Sequence, residues 1–453
     1  MIVLACNAVA TGRAWGQDSL DLRSFLALVQ AHHPLYQAAE LEVEMAAGKL
    51  RAARGQFDPK LAWARYEKEY KGSTYYDYHQ LELKVPIYSG IEVKAGYELN
   101  TGQYLNPESG TPLGGLYYTE ISLPLLRNLL IDQARAEVKM QQAMLRQSTH
   151  EFQLARNDLS YLISVAYWEF KAAWDLRLLY QEAVEIAADR QYFVVRSYEL
   201  GKYAAIDTVE SYMEWQRRHS LLAQAEASLH LVRNALSNQF WMSDSLSQVT
   251  FWPSTQPLMP IDSLRLLAWR LEVDRHPLIQ VMDEKIAIAS IDKTLQRQGL
   301  LPQFDIRYKP LATNTVGYNF SSSSATWGAW LSMPLFLRKE TGKLQVATTK
   351  LEQLEWERNF KVQALANDIN AYAQAVEYLS DALKRQRNNV DAARRMLEAE
   401  RRKLELGSTT IFMINYRERY LYESQEKLIK TFKEYQKAQA AYVHKFGLDA
   451  SQL

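Results

Sequence analysis

The chain has 453 residues, with 53 Lys+Arg against 52 Asp+Glu and a formal net charge of +1. That balance provides no basic excess to hold nucleic acid, and a single Cys rules out a disulfide framework and any multi-cysteine metal site. No run of 18 apolar residues is present, so no helix can span a membrane alone and only a β-barrel offers a route across one.

The first ten residues are apolar, and Ala14-x-Gly16 before Gln17 reads as the small-residue cleavage site of a secretory signal, so that residues 1–16 form a signal-peptide-like segment without its usual positive start. Val3-Leu4-Ala5-Cys6 also reads as a lipidation signal with Cys6 at the acylated position. A cleaved signal, a lipid anchor at Cys6 and no export at all stay open.

Beyond residue 17 the chain repeats itself. His33-Pro34-Leu35 recurs as His276-Pro277-Leu278, and the same offset of 243 maps Gln37 on Gln280, Ala46 on Ala289, Arg54 on Arg297 and Pro59 on Pro302. Each copy predicts a helix of about 25 residues ending before a proline. Leu123-Pro124-Leu125 then meets Met333-Pro334-Leu335 at an offset of 210, so the first copy carries 33 additional residues, the size of one long β-hairpin. The first repeat spans 17–242, with strands over about 59–126. An irregular, proline-bearing connector covers 243–262. The second repeat spans 263–453, with strands over about 302–336.

The strand regions alternate, apart from Trp330. Leu81, Leu83 and Val85 are separated by Glu82 and Lys84; Val93, Ala95, Tyr97 and Leu99 follow, then Trp327, Ala329, Leu331 and Met333 in the second copy. A half-buried sheet in a soluble domain and a transmembrane barrel with a lipid face and a wet face both satisfy this pattern. Tyr75, Tyr76, Tyr78, Tyr88, Tyr97, Tyr104, Tyr117 and Tyr118 crowd the same region, as a barrel girdle or as ordinary β-propensity.

After each Pro-Leu step the period becomes helical. Leu129–Glu199 and Lys343–Glu405 contain neither Gly nor Pro, and 70 helical residues would measure about 105 Å, too long for a compact domain. Each run stops at a lone glycine, Gly201 or Gly407, where a positive φ suits the turn of a helical hairpin. After the first turn Asp207 and Glu210 share a helix face, either as an acidic ring or as an acidic helix start favoured by the dipole. His32, His33 and His276 precede or flank prolines at helix starts and lack metal-ligand spacing, which makes them structural. No catalytic constellation or phosphate loop is present, and the scattered basic residues match nearby acids, so neither an enzyme nor a nucleic-acid binder is expected.

With these features in hand, the chain resembles the TolC family of outer-membrane efflux channels. The likeness rests on the doubled His-Pro-Leu helix, Pro59 and Pro302 before the strands, the Pro-Leu steps, and the paired segments Leu200–Asp207 and Leu406–Ile411. It implies a mainly α fold with a transmembrane β-barrel portion, built from a duplicated short helix–strands–long helix–return helix unit and assembled as a homotrimeric channel-tunnel. The protein would sit in the outer membrane of a Gram-negative bacterium, against its lipid, and extend into the periplasm. There it would serve as a passive exit duct of a multi-component efflux or secretion system, with a periplasmic adaptor protein and an inner-membrane pump as partners and no cofactor. The resemblance places the periplasmic gate at Asp207, Glu210, Thr409, Met413 and Tyr416, and the adaptor contact at Gly201, Lys202, Gly407, Ser408 and Thr409.

Three departures matter. The additional 33 residues suggest four strands in the first copy instead of two, leaving 12 strands, 18 strands, or a hairpin outside the membrane open. Met413 and Tyr416 stand where acidic residues line the constriction in well-known members. Thr409 stands where such members carry a basic latch, whose acidic partner is matched by Asp207 and whose cation would have to come from Lys202 or Arg402. The alternative from another class is a periplasmic coiled-coil scaffold with an inserted β domain.

Overall fold

The computed structural model describes residues 19–242, 245–254, 273–313 and 324–449. The signal-like segment with Cys6, part of the connector and most of the serine-rich strand tip lie outside these residues. The chain divides into two compact units, one combining the residues up to Glu40 with Phe152–Pro277 and Val362–Leu453, the other combining Leu41–Glu151 with Leu278–Lys361.

In chain order the elements are β1 (Ser19–Leu20), α1 (Leu22–His32), α2 (Pro34–Arg54), β2 (Lys60–Tyr70), β3 (Ser73–Pro86), β4 (Glu92–Thr101), β5 (Leu116–Pro124), α3 (Gln133–Glu199), α4 (Ala205–Ser237), β6 (Trp241–Met242), β7 (Ser245–Leu246), β8 (Trp252–Pro253), α5 (Pro277–Gln298), β9 (Gln303–Ala312), β10 (Ala325–Ser332), α6 (Arg338–Glu405) and α7 (Ile411–Lys445). The repeat is therefore helix–strands–long helix–return helix, given twice, with four strands in the first copy and two in the second. The long helices α3 and α6 run 67 and 68 residues. α6 begins at Arg338, ahead of the predicted Lys343, because Gly342 is absorbed near its start at a cost of about 1 kcal/mol relative to Ala. Proline opens α2 and α5, where its missing N–H is one of the helix-start donors that lack an intrahelical partner anyway.

The larger sheet has six strands in the order β10-β9-β5-β4-β3-β2, with every neighbour antiparallel. Register places Val85, Val93, Ile121, Tyr308 and Trp327 in one row, with Leu61, Leu83 and Ala95 and then Trp63, Leu81 and Tyr97 in the rows beside it. Lys84, Lys94 and Glu120 share the opposite face. Four strands in the first copy account for the additional 33 residues as β3 and β4 inserted into one continuous sheet. Their connecting turn is held by Arg135 at the start of α3. Its buried guanidinium donates to the carbonyls of Leu129 at 3.0 Å, of Ser89 at 3.5 Å and of Asn128, while its Nε donates to Asp132 at 3.0 Å. Small apolar clusters support the helices of this unit, Leu50, Ala53 and Val138 in one and Met282, Ala289 and Leu354 in another.

The helical unit has the larger core. Phe25, Leu26 and Val29 of α1 pack with Ile163, Tyr167, Trp168 and Phe170 of α3, Leu236 of α4 and Phe251. Each such side chain contributes about 1.5–3 kcal/mol on burial. Tyr167 donates its hydroxyl to the Leu20 carbonyl at 2.7 Å, which fixes β1 against α3. Of the connector, residues 245–254 are described. β6 pairs with β7, β8 runs parallel to β1, and Trp252 stacks on Trp174 at 4.1 Å, because Phe251 and Trp252 find apolar cover. The two His-Pro steps are buried. His33 bonds to Gln239 through Nε2 at 3.3 Å, and the His276 ring lies where a side chain on Gly447 would have to be. Burial lowers the His276 imidazole to about 4, so it is neutral at physiological pH.

Candidate functional site

The glycines end their helices as left-handed turns, Gly201 at φ 72° and Gly407 at φ 67°, conformations that glycine adopts without a side-chain clash. Lys202 donates its backbone N–H to Ser197 and Ser408 to Lys403, closing both turns in the same way. Leu200, Ile206 and Leu406 are exposed around them.

The residues expected at a gate have distinct situations. Asp207 accepts the Ala204 backbone N–H at 2.9 Å and so caps its own helix, and no ion pair to Lys202 or Arg402 is found among the described residues. Thr409 donates its hydroxyl to Glu400 at 2.6 Å, inside its own hairpin. Glu210 reaches the second copy, where Asn415 donates to it at 3.2 Å. Tyr416 is half exposed beside the Arg417 guanidinium, and Met413 is partly buried one helical turn away.

Beyond the turns lies a charged cluster that the sequence reading missed. Glu418 is 0% exposed and Arg218 is 1% exposed. Glu418 accepts from Arg190 of α3, from Arg218 of α4 at 2.9 Å and from Arg401 of α6 at 3.1 Å. Arg218 also donates to Glu214 at 3.0 Å and to the Ala183 carbonyl at 3.0 Å, and its guanidinium lies 5.0 Å from the Tyr422 ring centre. Glu214 receives a two-pronged contact from Arg217 and a further bond from Arg419 at 3.2 Å. Arg190 donates to Asn415 at 2.7 Å, which links the cluster to Glu210. Burial alone would raise both carboxyls; the arginines outweigh it, lowering Glu418 and bringing Glu214 down to about 2. Burial pushes the Tyr422 phenol up to about 12. Four helices thus share one ionic junction. The signal was present in the sequence: Ile411, Ile414, Glu418 and Leu421 share one spacing, as do Ser211, Glu214, Arg218 and Ala225, so charges occupy positions on an otherwise apolar seam.

The sheet is the second candidate surface. Its apolar face is bare to solvent within one chain, with Trp63 67% and Trp327 78% exposed and Leu61, Leu83, Ile121, Ile306 and Leu331 also open. The opposite face is a charged lattice. Lys94 lies within 4.0 Å of Glu82, Glu92 and Glu120, and Lys309 meets Glu98 at 2.9 Å. Tyr118 donates to Glu82 at 2.9 Å under the Lys309 ammonium, with its ring laid over Gly96, where only a residue without Cβ leaves room. A sheet that is apolar on one side and charged on the other suits lipid on the first and water on the second. No helix among the described residues is long and apolar enough to cross a membrane, and no group of three or more potential metal ligands occurs among them.

This fold is that of outer-membrane channels. A membrane protein from Pseudomonas aeruginosa superposes with TM-score 0.69 at 15% identity, over 95% of this chain and 91% of that one. The outer membrane protein VceC from Vibrio cholerae gives 0.66 at 16%, over 94% and 96%, and the open state of the Neisseria gonorrhoeae MtrE outer membrane channel gives 0.66 at 16%, over 94% and 88%. Comparison with curated proteins finds no match. Residues 271–443 match the family described as outer membrane efflux protein. The fold is thus shared with solved outer-membrane channels, and the greater part of the second repeat matches the outer membrane efflux protein family.

Proposed function

We propose that three copies of this chain form a passive exit duct that carries cargo through the outer membrane and extends into the periplasm. The observation that carries this reading is the six-stranded sheet, apolar on one face and charged on the other, whose edge strands β2 and β10 have no further partner among the described residues. Six antiparallel strands make the two edges run in opposite directions. β2 of one copy therefore suits β10 of the next, and a ring of copies closes without leaving an exposed edge. Three copies would contribute 18 strands, with the Trp63 and Trp327 face towards lipid and the Lys94 and Lys309 face towards a wet bore. The helical hairpins would form the periplasmic portion.

The gate in this reading comprises Asp207, Glu210, Thr409, Met413 and Tyr416. Two of its carboxylates are engaged in the cap and in the Asn415 bond, and Met413 and Tyr416 replace an acidic ring. That favours a constriction with little cation preference. Gly201, Lys202, Gly407, Ser408 and Thr409 would meet a periplasmic adaptor protein that links the duct to an inner-membrane pump, since a glycine turn admits close approach of another helical hairpin.

The test is fractionation followed by planar-bilayer recording of purified protein. The duct should require detergent for release, run as a trimer and give single-channel steps. Release by salt or osmotic shock, with no steps, would instead favour a periplasmic scaffold and overturn the duct.

A further inference from the structure

The geometry points to a lipid-headgroup site in the cleft where the strands pass into the helices: Arg127, Lys339 and Lys343 take the phosphate of a zwitterionic aminophospholipid, and Glu340 with Gln298 takes its ammonium. The inference rests on the duct reading above only in setting the sheet in a membrane, and it concerns residues outside the gate and the turns.

Placement comes first. β5 ends at Pro124, β9 begins at Gln303 and β10 ends at Ser332, and the Pro-Leu steps at 124 and 334 carry two of these strands towards α3 and α6. The sheet bonding continues into this junction, since Leu125 donates its N–H to the Phe304 carbonyl at 2.8 Å and Arg127 donates to that of Pro302 at 3.2 Å. Here the apolar residues are bare: Leu335 is 88%, Phe336 81% and Leu130 75% exposed. Cations follow them at once. Arg127 comes after Leu125 and Leu126, and Arg338 and Lys339 come after Leu335, Phe336 and Leu337, with the Arg338 guanidinium 5.7 Å from the Phe336 ring centre. Apolar side chains passing directly into basic ones mark the boundary between acyl chains and phosphates.

The cleft measures about 420 Å³, within the range of about 300–1,000 Å³ usual for small-ligand sites. Arg127, Lys339 and Lys343 line it, and among the described residues none of the three makes an ion pair. Acceptors lie between them. Asp132 is taken, because Arg135 donates to it from its backbone N–H at 2.8 Å and from Nε at 3.0 Å. Glu340 has no ion pair among the described residues and stands over Gly299, where an added Cβ would come within 3.8 Å of its Cγ. Gln298, next in the chain, has its Oε1 shut from water without a donor among the described residues. An acceptor in that state is disfavoured, and a donor that reaches it is favoured. A bare phosphate would satisfy the cations and leave Glu340 and Gln298 unmatched. A primary ammonium linked to a phosphate satisfies both sets.

Native mass spectrometry of the full-length protein in detergent micelles, given phosphatidylethanolamine, phosphatidylglycerol or phosphatidylcholine in turn, tests this. Phosphatidylglycerol lacks the amine, and the methylated ammonium of phosphatidylcholine has no N–H to donate. The wild type should hold phosphatidylethanolamine about tenfold more tightly than either. Lys339→Gln with Lys343→Gln should weaken that binding about tenfold, whereas Lys350→Gln with Lys384→Gln on the same helix should leave it unchanged. All four lysines are exposed, so neither double variant disturbs the core. Glu340→Gln should remove the preference over phosphatidylglycerol while phosphatidylglycerol still binds, a change that damage to the fold would not give. Equal retention of the three lipids, or double variants that behave alike, would overturn the site. Soluble O-phosphoethanolamine competing as well as the lipid would overturn its assignment to the membrane. Lipid preference in a protein without channel steps would remove the duct and leave the site; channel steps without the preference would remove the site and leave the duct.

Discussion

Arg218 of the first repeat donates to Glu418 of the second across 2.9 Å, with both side chains shielded from water. Replacing Arg218 by Met keeps most of the volume but leaves Glu418 and Glu214 each short of a donor. Breaking a buried pair from one side costs about 3–5 kcal/mol, so R218M should lower the thermal midpoint of the helical unit by several degrees, read by circular dichroism at 222 nm. A midpoint within error of wild type would show that water reaches the site.

The same cluster sets a pH dependence. Burial acts to raise Glu214, but Arg217 and Arg218 hold its carboxyl at about 2, below its ordinary value of 4.5. A group depressed on folding stabilises fully above its unfolded pKa and loses that stabilisation as pH falls through the folded one. The midpoint should therefore hold steady above about pH 4.5 and decline between there and about pH 2, with Glu418 shifted in the same direction. Glu214→Gln should start lower and show a shallower decline, which a series of melts in citrate and phosphate buffers measures.

At the two turns the role of glycine is purely conformational. A Cβ added to Gly201 or Gly407 meets no atom within 4 Å, so the penalty of Gly201→Ala or Gly407→Ala is the left-handed backbone itself, about 1–2 kcal/mol each. Asparagine at either position should cost less than alanine. Equal losses for the two substitutions in urea melts would refute the backbone explanation.

Arg135 makes the fourth case. Its guanidinium satisfies the carbonyls of Ser89, Asn128 and Leu129, so Arg135→Ala removes these partly buried bonds, at a net roughly 0.5–1.5 kcal/mol each. The β3–β4 turn should loosen first. Limited proteolysis with mass spectrometry should then find new cleavage near Ser89 and Gly90 while the long helices stay intact. An unchanged cleavage pattern would mean that the sheet holds this turn without help.

Much of the architecture was legible because periodicity is local. The Gly- and Pro-free runs gave α3 and α6, the lone glycines gave the turns, and the offset drop at the Pro-Leu step gave a hairpin that proved to be β3 and β4. Alternation also assigned the two faces of the sheet, since successive strand side chains point to opposite sides. Trp252 stacks on Trp174, a residue 78 positions earlier, a contact that no local pattern encodes. Asp207 illustrates the opposite limit: one carboxylate near a helix start serves as gate or cap, and the Ala204 N–H decided its geometry.

The sequence by itself determined the duplication, the element order and which strand positions are greasy, because these depend on neighbours within a few residues. Only the tertiary structure decided which charges meet. Arg190, Arg218, Arg401 and Glu418 come from four helices, and each alone looks like an ordinary member of a solvated helix face. Their burial depends on how those helices turn about their axes once packed, and that rotation is fixed by the whole apolar seam rather than by any segment of it.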